Sequence, residues 1–288
     1  NRCRRQRQMC IRDSSYSAMS IPEIADDFYQ IDDAIRTGYA WSYGPFEIWD
    51  NLGIQEAVEM IKSCGEDVPS WITDMLNSGA NSFYIFEDGK KKFYDINTKK
   101  YKNVPSSENH YILDAFRENK QILKNPECTV HDIGDGVMCI EFQTKGNSIG
   151  EGIAKGINEA IDIAERDGWN GIVIGNNDKQ FSVGANLMNM GMMAMQKNFD
   201  AIEEFLVGFQ KILMRMRTCN VPVVSATHGF VMGGGLEVSI HCDAGIHASE
   251  SYIGLVEAGV GLIPGGGGTK EMAMRASDSF NSGDVKMP

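Results

Sequence analysis

Two carboxylates, Glu237 and Glu257, stand twenty positions apart, and each lies near a glycine run. Gly233–Gly234–Gly235 leads directly into Leu236 and Glu237, and Glu257 lies in GLVEAGVGLIPGGGG, ahead of Gly265–Gly268. Val221 to Ala226 is apolar and β-branched, which predicts a buried strand, and Leu236 to His241 can open a helix. A strand–glycine–helix junction bares backbone N–H groups at the positive end of a helix, where they can hold an anion. Glycine keeps side chains from shielding those groups. Two carboxylates with separated pKa values can divide general-acid and general-base work. Taken singly, Glu237 also fits a helix-start glutamate favoured by the dipole, and Glu257 a solvated loop acid.

The elements that must position these residues alternate β and α from Cys128 onward. Val137–Phe142 predicts a strand after the Gly134–Asp135–Gly136 turn, and Gly171–Gly175 a short apolar one. Ile149–Arg166 predicts an amphipathic helix with Ile153, Ile157, Ile161 and Ala164 on one face. Residues 199–217 predict a long helix carrying Ile202, Phe205, Leu206, Phe209, Ile212 and Leu213. Repeated β-α-β units imply a parallel sheet with helices packed on it. Met188, Met190, Met192, Met193 and Met195 fit either core or an adaptable pocket wall. Gly265–Gly268 followed by Thr269–Lys270 lacks the G-x-x-x-x-G-K-[ST] order of a phosphate loop.

Phe181–Ser182–Val183–Gly184–Ala185–Asn186–Leu187 matches the pattern F-x-x-G-A-D-[IL], with Asn186 in place of Asp. With GGGLE and GLVEAGVGLIPGGGG, in that order, it resembles the crotonase (enoyl-CoA hydratase/isomerase) superfamily over about residues 128–288. The resemblance implies an α/β ββα spiral that hydrates an enoyl-CoA without a cofactor. It implies N–H donors on Ala185 and Gly234 for the thioester oxygen, each contributing about 3 kcal/mol. It implies that Glu237 and Glu257 hold the water and that Glu257 exchanges the α-proton. Substrate would lie against the backbone of Val183, Gly184, Ala185, Gly233 and Gly234; the Asn186 departure costs nothing if the loop acts through its backbone. A Δ3–Δ2 enoyl-CoA isomerase, which needs one carboxylate, and an inactive acyl-CoA-binding module remain alternatives.

The N-terminal part reads differently. Residues 20–50 are helical in pattern, with Ile24, Phe28, Ile31 and Ile35 on one face, and residues 54–63 and 69–78 continue as short helices. Asp33–Ala34, Gly38 and Gly44–Pro45–Phe46–Glu47 resemble the all-α C-terminal domain of 3-hydroxyacyl-CoA dehydrogenases (6-phosphogluconate-dehydrogenase-C-terminal-like). No G-x-G-x-x-G turn occurs in a strand–turn–helix setting, so NAD is expected only for a dehydrogenase part outside this chain. Residues 81–104 predict a lysine-rich β-hairpin turning at Asp88–Gly89, whose Lys90, Lys91, Lys92, Lys99, Lys100 and Lys102 form a solvated face or a contact to CoA phosphates. A linker begins at Val104, and Tyr111–Gln121 predicts a connecting helix. The expected divisions are 1–14, an artefact or disordered tail; 15–80, dehydrogenase helices; 81–127, hairpin and linker; and 128–288, the crotonase-like part, with the chain cut short at both ends. The parent would be a bifunctional β-oxidation protein, dehydrogenase first, and a homo-oligomer.

Composition sets outer bounds. The chain has 288 residues, 42% of them hydrophobic, and a net charge of −12. That charge argues against a general nucleic-acid or anionic-membrane surface. No apolar run approaches a membrane span, and no apolar core follows the basic NRCRRQRQMC, as a secretory signal requires. Seven scattered cysteines, with no C-x-x-C pair, read as reduced thiols of a cytoplasmic protein that holds no metal.

Overall fold

The computed structural model describes residues 13–87, 89–105, 111–116 and 120–282. Expectations for residues 1–12, Asp88, Ser106–Ser107 and the stretch beyond 282 lie outside the described residues. The chain forms two compact units that divide between Ala115 and Phe116.

In the first unit, residues 13–19 are helical (α1), so Asp13 and Ser14 belong to the fold rather than to a tail, and the Ser14 hydroxyl donates to Pro45 O. Four helices follow: α2 (Phe28–Tyr39), α3 (Pro45–Leu52), α4 (Ile54–Ser63) and α5 (Ser70–Asn77). The α2 helix begins later than its apolar spacing predicts. The Asp27 N–H donates to Gln30 Oε1 at the helix start, and Ile24 stays exposed. Phe28 packs among Phe46, Phe83, Tyr84 and Phe93, with ring centroids 5.0–5.9 Å apart. The Asp32 carboxylate, wholly buried, accepts from the Phe46 and Glu47 N–H groups and from the Tyr84 hydroxyl. It fixes the start of α3, and a side chain on Gly44 would collide with it. The buried acid is thus Asp32, whereas Asp33 forms a surface pair with Arg36.

The expected hairpin has a third strand. β1 (Tyr84–Glu87), β2 (Lys90–Asp95) and β3 (Lys100–Asn103) form an antiparallel sheet in that order. Its lysines are tied locally: Lys91 to Glu47, Lys92 to Glu87 and Lys102 to Asp95. Where the sequence predicts a connecting helix, the described residues hold a 3₁₀ turn, Leu113–Phe116, and Gln121 opens a strand.

The second unit is a six-stranded sheet with a small second sheet and helices. Its strands are β4 (Gln121–Lys124), β5 (Cys128–Asp132), β6 (Val137–Phe142), β7 (Gly171–Gly175) and β8 (Val223–Thr227), followed by β9 (Phe230–Met232), β10 (Ala244–His247) and β11 (Tyr252–Gly254). The large sheet has the order β10-β8-β7-β6-β5-β4, parallel from β10 to β6 and antiparallel at β5 and β4. The pairing of β4 with β5 moves the boundary of this unit ahead of residue 128. Its helices are α6 (Glu151–Asp167), α7 (Leu187–Met195), α8 (Phe199–Thr218), α9 (Gly234–His241) and α10 (Gly268–Ser282). α6 buries Ile153, Ile157, Ile161 and Ala164 as its spacing predicts, about 1.5–3 kcal/mol for each isoleucine. Glu127 Oε2 accepts from the Gly152 and Ile153 N–H groups at its start.

Each turn of the chain adds one strand to the large sheet, a short segment to a second layer, then a helix. The second layer joins β9 to β11 in parallel, with bridges Ser182–Val231 and Ile149–Ala185. Ile149 therefore lies in that layer rather than in α6. This layer carries the loops that hold the candidate site.

Burial raises the Asp32 carboxyl to about 7 against its hydrogen-bond donors. A folded pKa above the unfolded value stabilises below the unfolded value, and this contribution is lost as pH rises through about 7. The urea midpoint of the first unit should therefore fall between pH 5 and pH 8, and Asp32→Asn should flatten that slope. Tryptophan fluorescence reads it, because three of the four tryptophans lie in this unit.

Candidate active site

β9 ends at Met232, and Gly233 (φ +49°, ψ −121°) turns the chain into α9. Only glycine takes that conformation easily, and a Cβ there would stand 3.0 Å from Glu257 Oε1. Residues 181–185 run beside β9: Ser182 N donates to Phe230 O (2.9 Å) and Met232 N to Ser182 O (3.0 Å). Gly184 (φ +91°) then passes so close to the α9 entrance that a Cβ would lie 2.7 Å from Met232 O and 3.1 Å from Gly234 N. Across this contact, Ala185 N lies 3.4 Å from where a Gly234 Cβ would sit. Among the described residues neither the Ala185 nor the Gly234 N–H has an acceptor; helix geometry leaves the first N–H groups of α9 unpaired.

Glu237 falls in the first turn of α9 and is 2% exposed. Its Oε1 accepts the Gly268 N–H at 2.8 Å, and the Gly266 and Gly267 N–H groups near the carboxylate lower its proton affinity. Burial pushes the Glu237 carboxyl above its ordinary range; the glycine N–H groups pull it back and the nearby Glu257 charge raises it further. Glu257 opens the 3₁₀ turn Glu257–Val260, with Oε2 buried and unpartnered among the described residues.

All seven residues named from sequence, Val183, Gly184, Ala185, Gly233, Gly234, Glu237 and Glu257, line one cavity of about 470 Å³. Its remaining wall is mostly apolar, with Phe205, Leu206 and Phe209 from α8 and Leu262 and Ile263 opposite. Met190 reaches this cavity; α7 buries none of its methionines, so the core reading of that run fails. Sequence reasoning missed Gly266–Gly268 as partners of Glu237. Their signal was the glycine run itself, whose N–H groups face a carboxylate of the chain. The arrangement can hold an oxyanion at two N–H groups with two carboxylates beside it and an apolar tail along α8.

The family model for enoyl-CoA hydratase/isomerase matches residues 132–281. The chain belongs to the enoyl-CoA hydratase/isomerase family. Residues 132–281 are thus a crotonase-like α/β fold. A Bacillus subtilis (strain 168) relative named "Probable 3-hydroxyacyl-CoA dehydrogenase" is 41% identical over 272 residues, 93% of this chain and 34% of the relative. That likeness runs through both units. A crotonyl-CoA hydratase of Syntrophomonas wolfei is 37% identical over 103 residues, 35% of this chain and 37% of the relative. A crystal structure of an enoyl-CoA hydratase from Polaromonas sp. JS666 aligns at TM-score 0.49 and 23% identity, covering 51% of this chain and 58% of the other. The chain spans about a third of the length of these curated relatives. Among the described residues, no group of three or more metal-ligating side chains gathers, no helix is long and apolar enough to cross a membrane, and Cys64, Cys128, Cys139, Cys219 and Cys242 are free.

Gly184→Ala should destabilise the second unit by about 1–3 kcal/mol, since its φ is positive and its Cβ would meet backbone. A urea titration followed at Trp169 checks this against a control such as Gly191→Ala, where a Cβ meets nothing within 4 Å.

Proposed function

We propose that this cavity adds water across the 2,3 double bond of an enoyl-CoA, and that the whole protein is a bifunctional enzyme of fatty-acid β-oxidation. The observation that carries the reading is the convergence, in one cavity, of two unpaired N–H groups and two carboxylates. The thioester oxygen takes the Ala185 and Gly234 N–H groups, so the negative charge that develops there meets fixed dipoles and the positive end of α9. Glu237 and Glu257 hold the water. Its oxygen bonds the β-carbon, the π electrons move onto the thioester oxygen as an enolate, and the one proton released from the water passes to Glu257 while Glu237 holds the water as hydrogen-bond acceptor. The enolate then collapses as Glu257 delivers a proton to the α-carbon. Hydroxyl and hydrogen end on neighbouring carbons, and no cofactor is consumed. Burial raises the proton affinity of Glu237, which strengthens it as hydrogen-bond acceptor for the water. The backbone of Val183, Gly184 and Gly233 supports the thioester and pantetheine, and the acyl chain runs toward Phe205 and Leu206. NAD would serve a 3-hydroxyacyl-CoA dehydrogenase half elsewhere in the protein; the motif residues of the first unit, Gly44 to Glu47, act here as a helix start.

One observation favours a second reading. Glu237 is tied to a glycine strap, whereas Glu257 Oε2 has no partner among the described residues. A Δ3–Δ2 isomerase needs only one mobile proton, and Glu257 could carry it. Loss of enone absorbance from crotonyl-CoA separates the readings. The chain should hydrate it, and Glu237→Gln and Glu257→Gln should each lower kcat by about 10²–10⁴. Conversion of a 3-enoyl-CoA that survives Glu237→Gln would favour the isomerase. A folded chain that binds acyl-CoA and transforms neither compound would be a binding module.

A further inference from the structure

The strap that holds Glu237 is itself held from behind. Gly268 is the first residue of α10, and Glu271, one turn on, is wholly buried. A buried carboxylate needs a compensating charge. Glu271 Oε1 pairs with Arg217 of α8 and with Arg275 Nε (3.3 Å) of its own helix. Its Oε2 faces His241 Nε2 of α9 at 3.8 Å, both atoms being buried and unpartnered among the described residues. The other ring nitrogen of His241, Nδ1, lies 2.7 Å from the Glu237 carbonyl oxygen. A carbonyl only accepts, so Nδ1 carries the proton and Nε2 is left toward Glu271. Arg275 also donates to Ile240 O, which fastens α10 to α9 a second time. The charged and titratable groups facing this cluster are Arg217 from α8, Glu237 and His241 from α9, and Lys270, Glu271 and Arg275 from α10.

We infer that Glu271 is a positioning residue for Glu237. It clamps α10 to α8 and α9, and so keeps the Gly268 N–H aimed at Glu237 Oε1. Glu237 is gripped at both ends, its carboxylate by the strap that Glu271 anchors and its carbonyl by His241, whose Nε2 stands 3.8 Å from Glu271 without a hydrogen bond. Nothing in this arrangement touches the substrate, so Glu271 sets the charge and orientation of the carboxylate rather than its contacts with CoA. The inference rests on the role given to Glu237 above.

The test compares the chain with Glu271→Gln, Arg217→Gln and the double variant. Crotonyl-CoA hydration is followed across pH, and hydrogen exchange is followed in the 264–270 segment by mass spectrometry. Each single variant should lose about 10- to 100-fold in kcat with KM within about twofold. The double variant should be no worse than either single one, because both break one clamp. Losing N–H donors raises the proton affinity of Glu237, so the acid limb of the kcat profile should move up by about one pH unit. Strap amides should exchange faster. A merely structural residue would lower the folded fraction and leave the pH profile unmoved. If the parent hydrates and the variants match its kcat, profile and exchange, the inference is overturned. If the parent does not hydrate, the hydratase reading fails, and unchanged strap protection in Glu271→Gln then overturns the clamp independently. Should Glu271→Gln not fold, Arg217→Lys, which keeps the charge, carries the same test with a smaller shift in the same direction.

Discussion

The close approach of backbone to backbone at Gly184 is the contact on which the site depends. A methyl group there would lie 2.7 Å from Met232 O, well inside van der Waals contact. Without it, the 181–185 segment can lie flat against β9 and bring the Ala185 N–H beside the start of α9. Neither N–H group is used by a ladder, since the isolated bridge of Ala185 to Ile149 is made by Gly184 O and Asn186 N and Gly234 opens a helix. Their convergence is therefore a property of the second layer of the spiral. That layer exists because each turn of the chain deposits a short segment beside the previous one.

Electrostatics then decide what the cavity can do. Glu237 is almost fully removed from water, which costs several kcal/mol for an ionised carboxylate without partners. The glycine strap supplies N–H groups in place of water, and the α9 N-terminus adds a favourable dipole. Glu257 works against them, because its charge raises the proton affinity of Glu237. The balance leaves one carboxylate held rigidly and a second with a free oxygen facing the same space. Two acids of one type thus acquire different characters from their surroundings alone.

Much of this was legible in the chain. The four-residue spacing of Ile153, Ile157 and Ile161 marks α6, because a helix with one buried face repeats its apolar residues every three or four positions. The glycine–glutamate pairs mark the cavity for a similar reason: bare N–H groups can hold an anionic oxygen and carboxylates can move a proton. What stayed hidden depends on distant partners or on backbone alone. β3 reads KYKN and is largely exposed, so no alternation announces it; the Lys102–Asp95 pair and the Tyr94–Tyr101 ring contact form it. Asp32 and Asp33 are the same letter in adjacent places, and only the fold buries one. The strap at Gly266–Gly268 works through N–H groups that every residue has, so its sequence shows a lack of side chains and no hint of which group it serves. The methionines of α7 carry the composition of a core, yet that helix borders an open cavity.

In the proposed reaction the Ala185 and Gly234 N–H groups grip a thioester oxygen. The most direct measurement is the infrared stretch of the thioester carbonyl in crotonyl-CoA labelled with carbon-13 at that carbon, bound to the Glu237→Gln, Glu257→Gln double variant so that the ligand survives. Two hydrogen bonds from fixed donors should draw electron density onto the oxygen and move the stretch to lower frequency than in free ligand. A bound ligand whose carbonyl stretch matches that of free crotonyl-CoA in water, or lies above it, would contradict the account.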